Sequence, residues 1–242
     1  MNNSALHRAP RLYLVTPLAA EKSVVLGPEH AHYLKHVMRL APGDHVRLFN
    51  GQDGEWQGCL QTLDKKQAQV ALVACLKSQP APRRAVHLLF APIKKARMDW
   101  LIEKAVELGV TDLHPVLTHH TEIRQINPER LTAQIREAAE QCERLDLPQL
   151  HGMRDLKACL GQWPHGIPLL LALERADAPA LRNYLPESGP LAFLVGPEGG
   201  FSAEEREYPA DLPFLRPISL GSDIFRSETA ALFMLGAARL YM

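Results

Sequence analysis

Two short stretches concentrate the residue types that hold ligands and stabilise charge. The first is Gly196-Pro197-Glu198-Gly199-Gly200-Phe201-Ser202. Its three glycines let a backbone pass close to a bound molecule or take positive φ, and Glu198 sets a carboxylate among them. The second is Leu220-Gly221-Ser222-Asp223-Ile224-Phe225-Arg226-Ser227-Glu228-Thr229-Ala230, polar and charged ahead of an apolar run. An arginine near a helix N-terminus opposes the helix dipole, so Arg226 needs an anionic neighbour: Glu228, Glu198 or a substrate. Plainer readings stand beside both. The glycine stretch also suits a tight strand-to-helix turn, and Arg226 a surface salt bridge worth about 0–1 kcal/mol. The glycine stretch is not a P-loop, because no Gly-Lys-Ser/Thr follows it, and the chain has no G-x-G-x-x-G.

Lys94-Lys95-Ala96-Arg97 is a basic cluster that suits either phosphate contact or a solvated turn. His32 and His36 stand one helical turn apart, but no third ligand has supporting spacing, so a polar helix face is expected there and no metal. His119 and His120 are adjacent, and on extended chain they point to opposite faces. Cysteines at 59, 75, 142 and 159 form no Cys-x-x-Cys, which excludes a zinc cluster or disulfide framework. Cys142 falls on a helix stripe and reads as core. No Gly-x-Ser-x-Gly elbow is present, against an α/β-hydrolase.

The elements that must position these groups follow from periodicity. Apolar runs at Val86–Ala91, Leu113–Leu117, Ile167–Leu173, Leu191–Val195 and Arg216–Leu220 read as buried strands. Between them lie helical patterns at Met98–Leu108 and from Pro128 to Arg144, the latter capped by Asn127. Ser202-Ala203-Glu204-Glu205 is a capping box, and Ser227 is the expected cap of a last helix, Glu228–Tyr241. Strands alternating with helices predict a mostly parallel α/β sheet, whose ligands sit at the strands' carboxyl ends. Both chemical stretches lie at such ends. The chain ahead of Pro80 reads mostly as β, with turn dipeptides Asn50-Gly51 and Asp53-Gly54, strands over 55–63 and 67–76, and one helix from Pro28 to Leu40. Residues 77–84, with Pro80 and Pro82, read as a linker. The expected division is 1–76, linker 77–84, and 85–242.

The chain has 242 residues, 46% hydrophobic and 22% charged, ordinary for a globular protein. Its longest apolar run is about seven residues, where a membrane span needs roughly 20. The first eight residues carry no apolar signal core, and a cytoplasmic setting is expected. Net charge is zero, with 27 Lys+Arg against 27 Asp+Glu. Residues 1–80 hold nine basic and six acidic residues and five histidines. That asymmetry suits an N-terminal polyanion contact, or chance imbalance on a solvated face.

Six motifs in order resemble the uridine-N3 methyltransferases of small-subunit ribosomal RNA, in the SPOUT superfamily. They are Arg11-x-Tyr13; His32 through Arg39 followed by Gly43-Asp44; Glu103-Lys104-Ala105-x-Glu107-Leu108-Gly109-Val110; Glu137-Ala138-Ala139-Glu140-Gln141-x-x-Arg144; and the two stretches above. The resemblance implies an N-terminal PUA-like β-barrel that binds RNA, then an α/β domain ending in a trefoil knot. It also implies a homodimer, S-adenosylmethionine as methyl donor, and small-subunit RNA, naked or assembled, as substrate. Three loops would hold the cofactor, through Leu173, through Gly196, Pro197, Glu198, Gly199 and Gly200, and through Ile218, Leu220, Gly221, Ile224, Phe225 and Arg226. Arg226 would stabilise the charge left when the uracil N3 proton departs, with Glu198 as orienting acid or proton acceptor. Arg8, Arg11, Lys35, Arg39, Lys94, Lys95 and Arg97 would contact RNA. The chain departs from the family's pattern at Asp223, where a basic residue is usual, and at Phe225, where an aliphatic is usual. Two rival readings remain: a non-catalytic RNA-binding assembly factor, and a ribose 2′-hydroxyl methyltransferase of the same superfamily.

Overall fold

The computed structural model describes residues 8–185 and 188–241. The N-terminal stretch read for a leader signal falls almost wholly outside them. The chain divides into two compact units.

The first unit runs up to Pro82 and also takes in Ala139–Leu147, which the sequence reading assigned to the later domain. Its strands are β1 (Arg11–Tyr13), β2 (Ser23–Leu26), β3 (His45–Phe49), β4 (Glu55–Leu63) and β5 (Ala68–Lys77). They form one sheet in the order β1-β3-β4-β5-β2, with β1 parallel to β3 and the other pairs antiparallel. Leu12, Val24, Leu26, Val46, Leu48, Leu60 and Val70 fill its core. The helix expected over 28–40 is instead a short α1 (Pro28–His32) that widens into a π-turn, Tyr33–Val37. Met38 N–H donates five residues back to Tyr33 O at 3.0 Å, and Arg39 then ends the turn at φ +56°. Ala31 and Leu34 stay at 0% exposure through this widening, while Val37 points to solvent.

Charge is buried in this unit. Glu55 is fully buried, and Arg11 Nε donates to its Oε1 at 2.9 Å. Arg47 and Lys77 lie 3.4 and 3.5 Å from the same carboxylate. Arg11 also donates to Ala139 O at 2.8 Å and to Arg144 O, and its guanidinium stacks 3.7 Å from the Phe49 ring centroid. Arg11, expected at the RNA surface, is therefore withdrawn from that set: at 6% exposure its donors are spent on the protein. A lone buried guanidinium costs too much to leave unpaired, and this one has Glu55.

The second unit joins Arg83–Ala138 to the chain from Pro148 onward. Its elements are β6 (Val86–Phe90), α2 (Lys95–Glu107), β7 (Asp112–Leu117), the start of α3 (Pro128–Gln141), β8 (Gln149–Leu150), β9 (Arg154–Asp155), α4 (Leu156–Leu160), β10 (Leu169–Ala172), β11 (Leu191–Val195), α5 (Ala203–Asp211), β12 (Leu215–Ile218) and α6 (Ser227–Arg239). Asn127 Oδ1 accepts from Arg130 N–H at 2.9 Å, the expected cap of α3. The sheet runs β12-β10-β11-β6-β7-β8, with β9 also on β7. Every strand pair in it is parallel. Each residue of β11 is buried, the continuous apolar run that a strand covered on both faces requires. Because the strands are parallel, the carboxyl ends of β12, β10 and β11 open on one edge.

Candidate functional site

Three loops leave that edge: Leu173–Ala176 after β10, Gly196–Ser202 after β11, and Ser219–Arg226 after β12. Together they enclose a cavity of about 520 Å³, within the range of roughly 300–1,000 Å³ typical of small-ligand clefts.

The loops are pinned by their own chemistry. Ser202 Oγ accepts from Glu205 N–H at 3.2 Å, and Glu205 Oε2 accepts from Ser202 N–H at 2.8 Å, the capping box that opens α5. The second oxygen of Glu205 accepts from His119 N–H at 2.8 Å, which holds the chain after β7 beside the same loop. Gly200 takes φ +68° and donates its N–H to Pro197 O at 2.9 Å. At Gly196 a β-carbon would stand 2.9 Å from the Phe201 ring, so the missing side chain permits the loop's tight return. Ser227, expected as the cap of α6, is its first residue. Arg226 is the cap and makes no side-chain capping bond. The Ser227 hydroxyl instead donates to Gly196 O at 2.6 Å and ties the third loop to the second.

Ten of the twelve residues expected to hold a cofactor line this cavity: Leu173, Gly196, Pro197, Glu198, Gly200, Leu220, Gly221, Ile224, Phe225 and Arg226. Ile218 is fully buried at the end of β12 beneath it. Gly199 is not among the lining residues, and His120 Cβ stands 3.1 Å from where a side chain on it would begin. Arg97, expected with Lys94 and Lys95 on RNA, stands in the cavity wall. It lies 3.6 Å from Glu198 and 3.7 Å from Glu228. Glu228 is 7% exposed, and its Oε2 has no hydrogen-bond partner among the described residues. Glu228 sits in the first turn of α6, where the helix N–H groups carry partial positive charge. Arg226, by contrast, is exposed on the cavity rim. Lys94 and Lys95 are exposed beyond the end of β6, as are Arg8 and Arg39 in the first unit, and Lys35 is half-buried.

Sequence reasoning missed Glu174, Arg175 and Arg206. Arg206 donates to Phe201 O at 3.3 Å and lies 3.7 Å from Glu174. Arg175 holds φ +54° in the cavity loop, a conformation costly for a residue with a β-carbon. The available signal was the strand end itself: residues just past β10 had to share the edge with the other two loops. In sum, the cavity combines an apolar floor with opposed carboxylates and guanidinium groups, an arrangement able to hold a small polar molecule and to stabilise a developing anion.

An RNA methyltransferase domain model matches residues 79–239, and an RNA methyltransferase PUA domain model matches residues 26–73. A curated relative from Rickettsia conorii, named ribosomal RNA small subunit methyltransferase E, is 34% identical over 95% of each chain. The solved structure of a ribosomal RNA small subunit methyltransferase E from Neisseria gonorrhoeae, bound to S-adenosyl methionine, superposes with a TM-score of 0.86 at 27% identity. It covers 96% of this chain and 98% of that one. A methyltransferase from Legionella pneumophila, solved with bound SAM, superposes equally well at 30% identity over 96% and 98% of the two chains. With an α/β cavity at the strand ends and an N-terminal RNA-type module on one polypeptide, the chain belongs to the RNA methyltransferase family, among the relatives named ribosomal RNA small subunit methyltransferase E.

Proposed function

We propose that the chain methylates N3 of a uridine in small-subunit ribosomal RNA, with S-adenosylmethionine as donor, and that it does so in the cytoplasm. The observation that carries the reading is the convergence of three strand-end loops on one cavity with Glu198 and Arg226 in its wall. The residues present fit the donor. Leu173, Leu220, Ile224 and Phe225 give an apolar bed for a purine, and the glycine backbone at 196 and 200 leaves room beside it. Glu174 and Arg175 offer both charges to an amino-acid moiety. When bound, the donor supplies an electrophilic methyl group on a sulfonium.

The chain's own residues do the rest. The loops align the reactants, which alone removes several kcal/mol of barrier. Glu198 receives or orients the uracil N3 proton, and Arg97 lies 3.6 Å from its carboxylate. Arg226 meets the negative charge that spreads onto the base carbonyls, as a preorganised donor does for an oxyanion. A paired or stacked uridine has to be exposed first. The same reading makes the five-stranded sheet a PUA-like β-barrel over residues 1–76, followed by a SPOUT domain over 85–242 whose end forms a trefoil knot. Supporting it are the PUA match and the order β12-β10-β11 at the sheet edge. It also makes the protein a homodimer, a reading supported by the exposed Trp100 and Phe233 on α2 and α6.

The test is methyl transfer to naked small-subunit RNA and to the assembled subunit, read by nucleoside mass spectrometry. N3-methyluridine is the expected product. A ribose-methylated nucleoside, or none on either substrate, overturns the reading. Arg226→Ala should lower turnover about 10²–10³-fold while calorimetry still records donor binding; near-normal turnover removes Arg226 from the mechanism.

A further inference from the structure

A second cavity, of about 320 Å³, opens elsewhere in the second unit, between β6, β7, the β8–β9 turn and the loop after α4. His87, His114, His151, Trp163 and Cys159 line it. On β6 it is lined by His87 and on β7 by His114, Pro115 and Val116, and His87 pairs in register with Asp112. The proposed methylation uses none of these groups.

We propose that His87, Asp112 and His114 form a binding site for a divalent d-block cation of the zinc type. His87 Nδ1 lies 3.2 Å from His114 Nε2 and 3.5 Å from Asp112 Oδ2. One donor atom from each of the three residues lies within 4.8 Å of the others. Metal bonds of about 2.0–2.1 Å at tetrahedral angles set donor atoms about 3.4 Å apart, so two of the three separations already match. Two imidazoles and a carboxylate are the donor set that zinc and its neighbours take, and both imidazoles line the cavity.

The surroundings hold these donors as ligands are usually held. His151 Nε2 donates to Asp112 Oδ1 at 2.8 Å and Thr111 Oγ1 lies 2.8 Å from Oδ2, which fixes the carboxylate with Oδ2 3.5 Å from His87. His114 stacks on His151 with ring centroids 3.9 Å apart, and Trp163 packs edge-on against both His87 and His114. An imidazole ligates in its neutral form, and both His87 and His114 are half-buried against Trp163. Without a cation, one imidazole proton bridges the 3.2 Å gap between the two rings. On binding, that proton moves to the far nitrogen of its own ring, so that both facing nitrogens present lone pairs to the ion. Asp112 and His114 share one face of β7 by their i, i+2 spacing, and His87 joins them only through the register of β6 and β7.

The experiment is calorimetric titration of chelator-treated full-length protein with zinc chloride, paired with visible spectroscopy after cobalt(II) addition. Expected are one equivalent bound and the intense d–d bands of tetrahedral cobalt. His87→Ala and His114→Ala should each weaken zinc by at least about 100-fold, and His151→Gln, a positioning change, by about 10–100-fold. His32→Ala/His36→Ala should leave binding unchanged. Far-ultraviolet circular dichroism checks folding, and if either alanine variant is unfolded, His87→Gln and the wild-type cobalt spectrum decide. The proposal fails if wild type shows no stoichiometric heat or no tetrahedral bands. It fails equally if zinc binding survives loss of His87 and His114, or disappears with His32 and His36.

Discussion

At Gly196 the missing β-carbon decides whether the cavity can form. A methyl there would meet Phe201 carbons at 2.9, 3.1 and 3.2 Å, and that ring is 7% exposed within the apolar core. It has nowhere to swing, so Gly196→Ala should cost about 1–3 kcal/mol, the usual penalty of overpacking. Because the same loop lines the cavity, donor affinity measured by calorimetry should fall at least about tenfold, an energy of about 1.4 kcal/mol. Adding Phe201→Leu should recover much of both losses; no recovery would place the effect in the backbone instead. Much of this site was legible in the residues, since glycines beside a capping box imply a tight strand-to-helix loop. Arg97 was not. Its neighbours Lys94 and Lys95 made it look like part of a basic surface, and only the fold sets it between Glu198 and Glu228.

At the scale of elements, β1, β3, β4 and β5 are joined by a charge cluster that no periodicity reveals. Charged residues on strands read as solvent-facing, yet Glu55 is fully buried among Arg11, Arg47 and Lys77. Glu143 closes the cluster, accepting from Arg47 at 2.8 Å and from Lys77 at 2.9 Å. Those hydrogen bonds, Lys77 first and Arg47 next, hold its carboxyl down from 4.5 to about 2. The folded value lies below the unfolded one, so this stabilisation is present above pH 4.5 and fades as pH falls toward 2. Chemical-denaturation midpoints across that window should drop for the wild type, and Glu143→Gln should flatten part of the drop. An identical acid profile in the variant would mean the hydrogen bonds carry no net stability. Strands β1 and β2, of three and four residues, escaped the sequence reading for a related reason: runs so short have no period to show. The longer buried strands β6, β10 and β11 were plain as apolar runs.

For the molecule as a whole, zero net charge conceals local cations at Arg8, Lys35, Arg39, Lys94 and Lys95. If these meet phosphates, RNA affinity falls steeply with salt, and each lost contact to a single strand removes about 0.7 from the logarithmic slope. Lys94→Ala/Lys95→Ala should therefore reduce the slope by about 1–2 in fluorescence-anisotropy titrations over several salt concentrations; an unchanged slope would take both lysines off the RNA. Class and layer order were readable from composition and alternation. The discontinuity of the first unit was not, because Ala139–Leu147 reads as the tail of a helix. That discontinuity constrains how the protein is made. Arg11 donates to Ala139 O and Arg144 O, and Arg47 and Lys77 reach Glu143. During synthesis the strands ending at Lys77 leave the ribosome well before those partners, so the nascent sheet must wait, its arginines solvated, until residue 147 has emerged.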